Sequence, residues 1–386
     1  MARNVDLLEL TKSLVAIPSH QAPESEGVDA KAAGDAIERW LREHTDATVE
    51  RDGAPDGGNV IARKGRYDGA SNEGDTPSLG LVGHHDVVPP DESQVTDDGE
   101  YVVEERDGRL YGRGTCDMKG PLAAAMIAFA TADVPDDREL VFASFVGEER
   151  GGVGARWAIE NGFELDRAVV TEGSTGYSEP GVIDVAIAHK GRRGSTVVAT
   201  GESAHASELG RGVNAIYRAT AAVDLLRNFD FPTTSVLGHE VAGSIAVTEI
   251  EGGTAMNVIP DRCTVTVDER TVPGERAPLE KVEALDGVTV TVDQDLPPMA
   301  CEDAAFADQV LEIAAEEQRA VVDDGGPAHV VKPHATDAGW LSERAGTDCV
   351  IVGAAENGEA HTEDESVSID AIERSVDIYR RVLETA

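Results

Sequence analysis

Lysine is scarce in this chain: there are seven, against 73 acidic residues, and the formal charge is −40. Such acidity disfavours nucleic acid and anionic membrane as partners. It favours solubility at high salt, at the cost of self-repulsion in dilute buffer, and is the composition expected of an extreme halophile. Cysteine is also sparse. Cys116, Cys263, Cys301 and Cys349 are scattered with no CxxC pair, which argues against a structural zinc or redox site and leaves reduced, small core residues. No apolar run reaches the length of a membrane span. The N-terminal stretch MARNVDLLELTKSLVAIPSH is an amphipathic helix ended by Pro18, without the continuous apolar core of a signal peptide. These absences imply a soluble cytoplasmic enzyme. A disordered acidic protein is excluded, because 41% of the residues are hydrophobic and the apolar runs are periodic.

What the chain does have is a set of metal-ligating side chains, each placed where a predicted strand gives way to a loop. In SLGLVGHHDVVPP (78–90), an apolar strand ends in His84-His85-Asp86 and is closed by two prolines. The strand period of two puts His84 and Asp86 on one face, so His84 reads as a ligand and Asp86 as the group that orients it, while His85 points the other way. Asp117, in the Gly-rich YGRGTCDMKG just before a helix, is a lone carboxylate that could use both oxygens on two metals. The strand LVFASFVGEERGG ends in Glu148-Glu149, where one acid can bind metal and the other, turned away, can take a proton from water. RAVVTEG ends in Glu172, and His361 lies in a polar loop after a short strand. Two imidazoles and three carboxylates suit a pair of zinc-like divalent ions, and the same donors accept cobalt or manganese.

The motifs GHHDVVP, GRGTCDMKG, GEERGG, VVTEG, GESAHAS, GGTAMNVIP and AHTEDE follow one another in that order, within a similarity that runs from about residue 5 to the end. In them the chain resembles the dinuclear-zinc deacylase and carboxypeptidase family that includes acetylornithine deacetylase, succinyl-diaminopimelate desuccinylase, aminoacylase and a bacterial glutamate carboxypeptidase. The resemblance implies that His84 and Glu172 hold one zinc, Glu149 and His361 the other, that Asp117 bridges them, and that Glu148 is the general base.

Strands and helices alternate up to about residue 183, which predicts a mainly parallel sheet covered on both faces. The rhythm then changes to β-α-β-β-α-β, the ferredoxin-like split unit: strands through 194–201, 243–250, 262–271 and 287–293, helices through 214–229 and 275–285. The expected organisation is an α/β catalytic domain in two parts, 1–185 and 297–386, interrupted by an inserted ferredoxin-like α+β dimerisation domain at 186–296. Helices at 305–320 and 368–384 and a strand at 347–353 complete the catalytic part.

Within the insert, His205 and Asn257 sit in turns and, taken singly, read as turn formers. The resemblance implies more: the matching histidine stabilises the oxyanion of the tetrahedral intermediate, often from the partner subunit, and the matching asparagine helps bind substrate. Carboxylate recognition calls for arginine. Arg270 and Arg192 match substrate-carboxylate contacts of the desuccinylase branch, as do Ser195, Thr336 and Asn357, whereas Arg193 and Arg262 read as surface charges. Glu208 stands where the desuccinylase pattern places tyrosine, which leaves deacetylase or peptidase substrates open. The expected protein is a homodimeric, metal-dependent amide hydrolase acting on small N-acyl amino acids with a free carboxylate. A carboxypeptidase or dipeptidase is the nearest alternative. A non-catalytic metal-binding regulator is a third reading, and the intact Glu148 argues against it.

Overall fold

The computed structural model describes residues 6–20, 30–65, 76–320, 322 and 325–386. Its contacts group the chain into two units, one of residues 1–188, 300–332 and 336–386, the other of residues 189–299 with 333–335. Of the expected N-terminal helix, residues 1–5 lie outside the described residues. The remainder forms Leu7–Val15, started by the Asp6 side chain, which accepts from the Leu8 and Glu9 amides. Among the described residues, no helix is long and apolar enough to cross a membrane. The four cysteines are buried and free.

The first unit is built on a nine-stranded mixed sheet. Its centre is four parallel strands side by side, Glu139–Phe145, Ser78–His84, Arg167–Val170 and Asp348–Ile351. Antiparallel strands Val60–Lys64 and Thr48–Arg51 extend one edge, and Val185–His189 pairs antiparallel on the other. All seven residues of Glu139–Phe145 are buried, as expected of a parallel strand covered on both faces. Helix Gly120–Thr131 is buried over ten of its twelve residues and packs against the closing helix Ile369–Thr385, which Ser368 caps. In a parallel sheet the loops leaving the carboxyl ends of the strands converge at one edge, where ligand sites form. His84 ends its strand, and Glu148 and Glu172 follow theirs by three and two residues.

The second unit is a four-stranded antiparallel sheet in the order Ser244–Gly252, Arg262–Thr271, Gly191–Thr200, Val288–Leu296. Residues alternate along the two central strands: Val197, Ala199, Val265 and Val267 are buried with Ala219, Ala222 and Leu226 of helix Ala215–Leu226 and Val282. The order and directions are those of the ferredoxin-like split unit. Two details differ from expectation. The second helix is only a short 3-10 segment, Leu279–Ala284, starting after Pro278. A hairpin, Thr233–Val236 with His239–Ala242, was not foreseen. Its turn puts Leu237 at φ 46 and Gly238 at φ 87, and a leucine in that left-handed position hides the usual Asn-Gly signal.

Arg193 is not the surface charge its sequence context suggested. It donates through Nε to Glu269 at 2.6 Å, and Glu269 is 2% exposed on the helix-covered side of the sheet. Removing one partner of a buried pair leaves the other charge uncompensated. Arg193→Ala should therefore cost about 3 kcal/mol in urea unfolding, while Arg262→Ala, at an exposed position, should stay within about 0.5 kcal/mol of the parent. Equal effects from the two changes would contradict the structural role of Arg193.

Candidate metal centre and active site

The tautomer of His84 follows from its surroundings. Nδ1 lies 3.0 Å from the Asp86 backbone carbonyl, which can only accept, so Nδ1 carries a hydrogen and Nε2 is the position left for a second proton or a metal. Nε2 faces oxygens, Asp117 Oδ1 at 3.1 Å and Glu172 Oε1 at 3.3 Å. The other Asp117 oxygen, Oδ2, is 3.2 Å from His361 Nε2, and Glu149 Oε1 is 3.1 Å from the same nitrogen. Asp117 thus stands between two groups, His84 with Glu172 and His361 with Glu149. Potential ligand atoms of His84, Glu148 and Glu172, and likewise of His84, Asp117 and Glu149, lie within 4.8 Å of one another.

The Asp86 carboxylate does something other than orient His84. Its Oδ1 is 3.6 Å from His84 Nδ1, too far for a hydrogen bond. It accepts instead from the amides of Gly147 at 2.8 Å, Glu148 at 3.2 Å and Glu149 at 3.3 Å, and so shapes the turn that presents the two glutamates. His84 is oriented by the carbonyl of the same residue. His85 faces away, with Nδ1 2.9 Å from Ser144 Oγ, and burial pushes its pKa down to about 3. His361 occupies the left-handed backbone region at φ 63, an uncommon conformation of the kind found at functional sites.

Sequence reading missed three side chains that serve this centre. Glu365 accepts from the amides of Cys116 at 3.1 Å and Asp117 at 3.3 Å, and is paired with buried Arg113, so it holds the loop that carries Asp117. Asp337 is buried with no hydrogen-bond partner on either carboxylate oxygen. Lys332 is 5% exposed and donates to the Gly173 carbonyl. Glu365 was hidden in the acidic AHTEDE run. Lys332 had a usable signal, a rare lysine closing the apolar strand His329–Lys332.

The electrostatics are those of a site that requires a cation. Burial, reinforced by Glu149, Glu172 and Asp337, raises the Glu148 carboxyl well above the ordinary range. Burial and Asp117 push Glu149 up to about 7, and burial with Asp86, Glu172 and Glu149 pushes Asp337 up to about 8. Burial disfavours charge on His84, yet Asp117, Asp86 and Glu172 hold its pKa well above the usual value. Asp117 and Glu149 raise His361 to about 10. Imidazole Nε2 atoms facing carboxylate oxygens are places where a divalent ion with nitrogen and oxygen donors could replace the protons these imidazoles otherwise hold.

The model of peptidase family M20/M25/M40 matches residues 80–385. The chain belongs to that family. It is therefore a metal-dependent hydrolase of the M20 peptidase and deacylase group. The acetylornithine deacetylase of Myxococcus xanthus is 29% identical over 342 residues, covering 84% of this chain and 83% of that protein. Among solved structures, aminopeptidase PepT from Bacillus cereus shares the fold with TM-score 0.71 at 19% identity, covering 98% and 97% of the two chains. A dinuclear metal binding M20 peptidase, the YXEP protein of Bacillus subtilis, does so with TM-score 0.67 at 17% identity, covering 98% and 96%.

The other sequence candidates in this M20 chain belong to the second unit or to loops. His205 is exposed, and its Nδ1 accepts from the Ser207 amide at 3.3 Å, which leaves the proton on Nε2. Asn257 is exposed in its turn, and its carbonyl accepts from Ala206. Arg192 and Arg270 both donate to Asp268, at 2.6 and 2.8 Å through their Nε atoms. Ser195 is buried with its hydroxyl unpartnered. Thr336 caps the short helix Asp337–Trp340 by accepting from Ala338. Asn357 is exposed.

The pH dependence follows with a definite sign. Glu149 and Asp337 have folded-state pKa values raised from 4.5 and 3.8 to about 7 and about 8. Their contribution is fully present below the ordinary carboxyl values and is lost as pH rises through the folded ones. Metal-free protein should lose thermal stability between about pH 5 and 8 more steeply than protein saturated with zinc, whose charge compensates the ionised acids. Parallel melting curves for the two forms across that window would contradict the cation-requiring centre.

Proposed function

We propose that this protein removes the acyl group from small N-acyl amino acids bearing a free carboxylate, as an acetylornithine deacetylase or a succinyl-diaminopimelate desuccinylase would. The observation that carries the reading is Asp117, whose two oxygens lie 3.1 Å from His84 Nε2 and 3.2 Å from His361 Nε2. In this reading His84 and Glu172 would hold one divalent ion and Glu149 and His361 a second, with the Asp117 carboxylate within reach of both groups. Zinc suits the donors, with cobalt and manganese as chemically acceptable replacements. Bound there, the ions supply Lewis acidity toward the acyl carbonyl and acidify a water.

The rest is the work of side chains. Glu148, held beside His84 and Glu172 but needed as a ligand by neither ion, takes the proton from the attacking water and delivers it to the leaving nitrogen. His205, with its hydrogen on Nε2, is the donor to the developing oxyanion. Arg270 and Arg192, braced by Asp268, read the substrate carboxylate. Asn257, Ser195 and Asn357 add polar contacts, and Thr336 can still donate its hydroxyl proton while accepting from Ala338. The second unit forms a homodimer interface, since strand Ser244–Gly252 is at the edge of its sheet.

A panel of N-acetyl and N-succinyl amino acids beside dipeptides, assayed with and without chelator, tests the substrate class. Chelator-sensitive release of the amine from acyl amino acids is expected, and hydrolysis of dipeptides alone would overturn it in favour of the dipeptidase reading. Glu148→Ala should retain metal while turnover falls on the order of a thousandfold or more, and near-normal turnover would remove Glu148 as the base. Should His205 act across the dimer, Glu148→Ala and His205→Ala chains, each inactive alone, will recover part of the activity when mixed at high salt, where repulsion is screened. Mixed dimers without recovered activity would reject a shared site.

A further inference from the structure

Lys332 is a buried cation that the mechanism above does not use. It closes strand His329–Lys332 and is 5% exposed. Among the described residues it makes no ion pair within 4.0 Å, and its ammonium donates to the carbonyl of Gly173. Burying an ammonium without a carboxylate contact is costly and disfavours its charge. What favours the charge is the field of Glu172, Asp117 and Glu148. A methionine would fill the same volume at no such cost, so the position calls for a further explanation.

Gly173 directly follows Glu172, and the main chain there is fixed on its other side. Ser174 donates its amide to the Gly353 carbonyl at 3.0 Å and Thr175 to the Ala355 carbonyl at 3.0 Å. A Cβ added at Gly173 would come within 2.5 Å of the Ala355 Cβ, so the turn is pressed against the segment that follows strand Asp348–Ile351. The peptide after Glu172 is thereby clamped between residues 353–355 and the lysine. A positive charge by itself would repel a bound divalent ion, so what Lys332 can add to the site is the hydrogen bond to Gly173.

We infer that Lys332 is a positioning residue of the metal centre, setting the Glu172 carboxylate through the Gly173 carbonyl. The inference rests on the reading of Glu172 as a ligand. The test is a cobalt titration of the chelated protein, followed by absorption, with thermal melting of the metal-free form as the folding control. Lys332→Met should fold, and should bind the ion of the His84 and Glu172 group at least tenfold more weakly, while the ion of the His361 and Glu149 group changes less. In a Glu172→Ala background the same change should cost no further affinity, because the group it positions is gone. Unaltered affinity for both ions in folded Lys332→Met would overturn the proposal, as would an equal loss in the two backgrounds. Should the methionine variant fail to fold, Lys332→Leu, which likewise has no donor for the Gly173 carbonyl, is read in the same way. Tenfold weakening of the first ion supports the proposal, and parent affinity for both ions overturns it. Failure of the parent protein itself to bind cobalt would instead reject the metal-site reading on which the inference stands.

Discussion

Everything at the centre of this protein depends on how a group of carboxylates is kept together away from water. Potential ligand atoms of His84, Glu148 and Glu172, and of His84, Asp117 and Glu149, approach within 4.8 Å. At such separations two ionised acids repel by about 3–4 kcal/mol for an effective dielectric near 20. Several such pairs would consume a stability that is only about 5–15 kcal/mol for an ordinary domain. Protons relieve part of this, which is the meaning of the raised Glu148, Glu149 and Asp337. Divalent cations relieve more, and Nε2 of His84 is a position left for one.

The fold makes that crowding possible by spending backbone groups on it. Parallel strands deliver His84, Glu148 and Glu172 to one edge of the sheet, and backbone amides then fix two neighbouring acids. Asp86 takes three amides of the 147–149 turn. Glu365 takes two from the loop carrying Asp117. Hydrogen bonds to charged acceptors are the stronger kind, and here they hold ligand-bearing turns rather than the ligands themselves.

Much of this was legible in the chain. Apolar runs ending in acids or histidine marked the strand ends, and the change in rhythm after residue 183 marked the ferredoxin-like unit. What escaped had physical reasons. The acceptor for His84 is a backbone carbonyl, which has no letter in a sequence, so the Asp86 side chain was credited with a role that its main chain fills. Glu269, which buries Arg193, sits in a strand whose acids looked solvated in so acidic a protein. The hairpin at 233–242 turns through a leucine where glycine or asparagine was the expected mark. Asp337 gains meaning only from neighbours far away in the chain, because burial without a hydrogen-bond partner is a property of the folded molecule.

The central claim is that Asp117 lies between two cations. Anomalous diffraction at the zinc edge, on crystals grown with zinc, measures it directly. The account predicts two peaks, one on each side of the Asp117 carboxylate, the first in contact with His84 and Glu172 and the second with His361 and Glu149. A single peak, or peaks that leave Asp117 bound to one ion only, would contradict it.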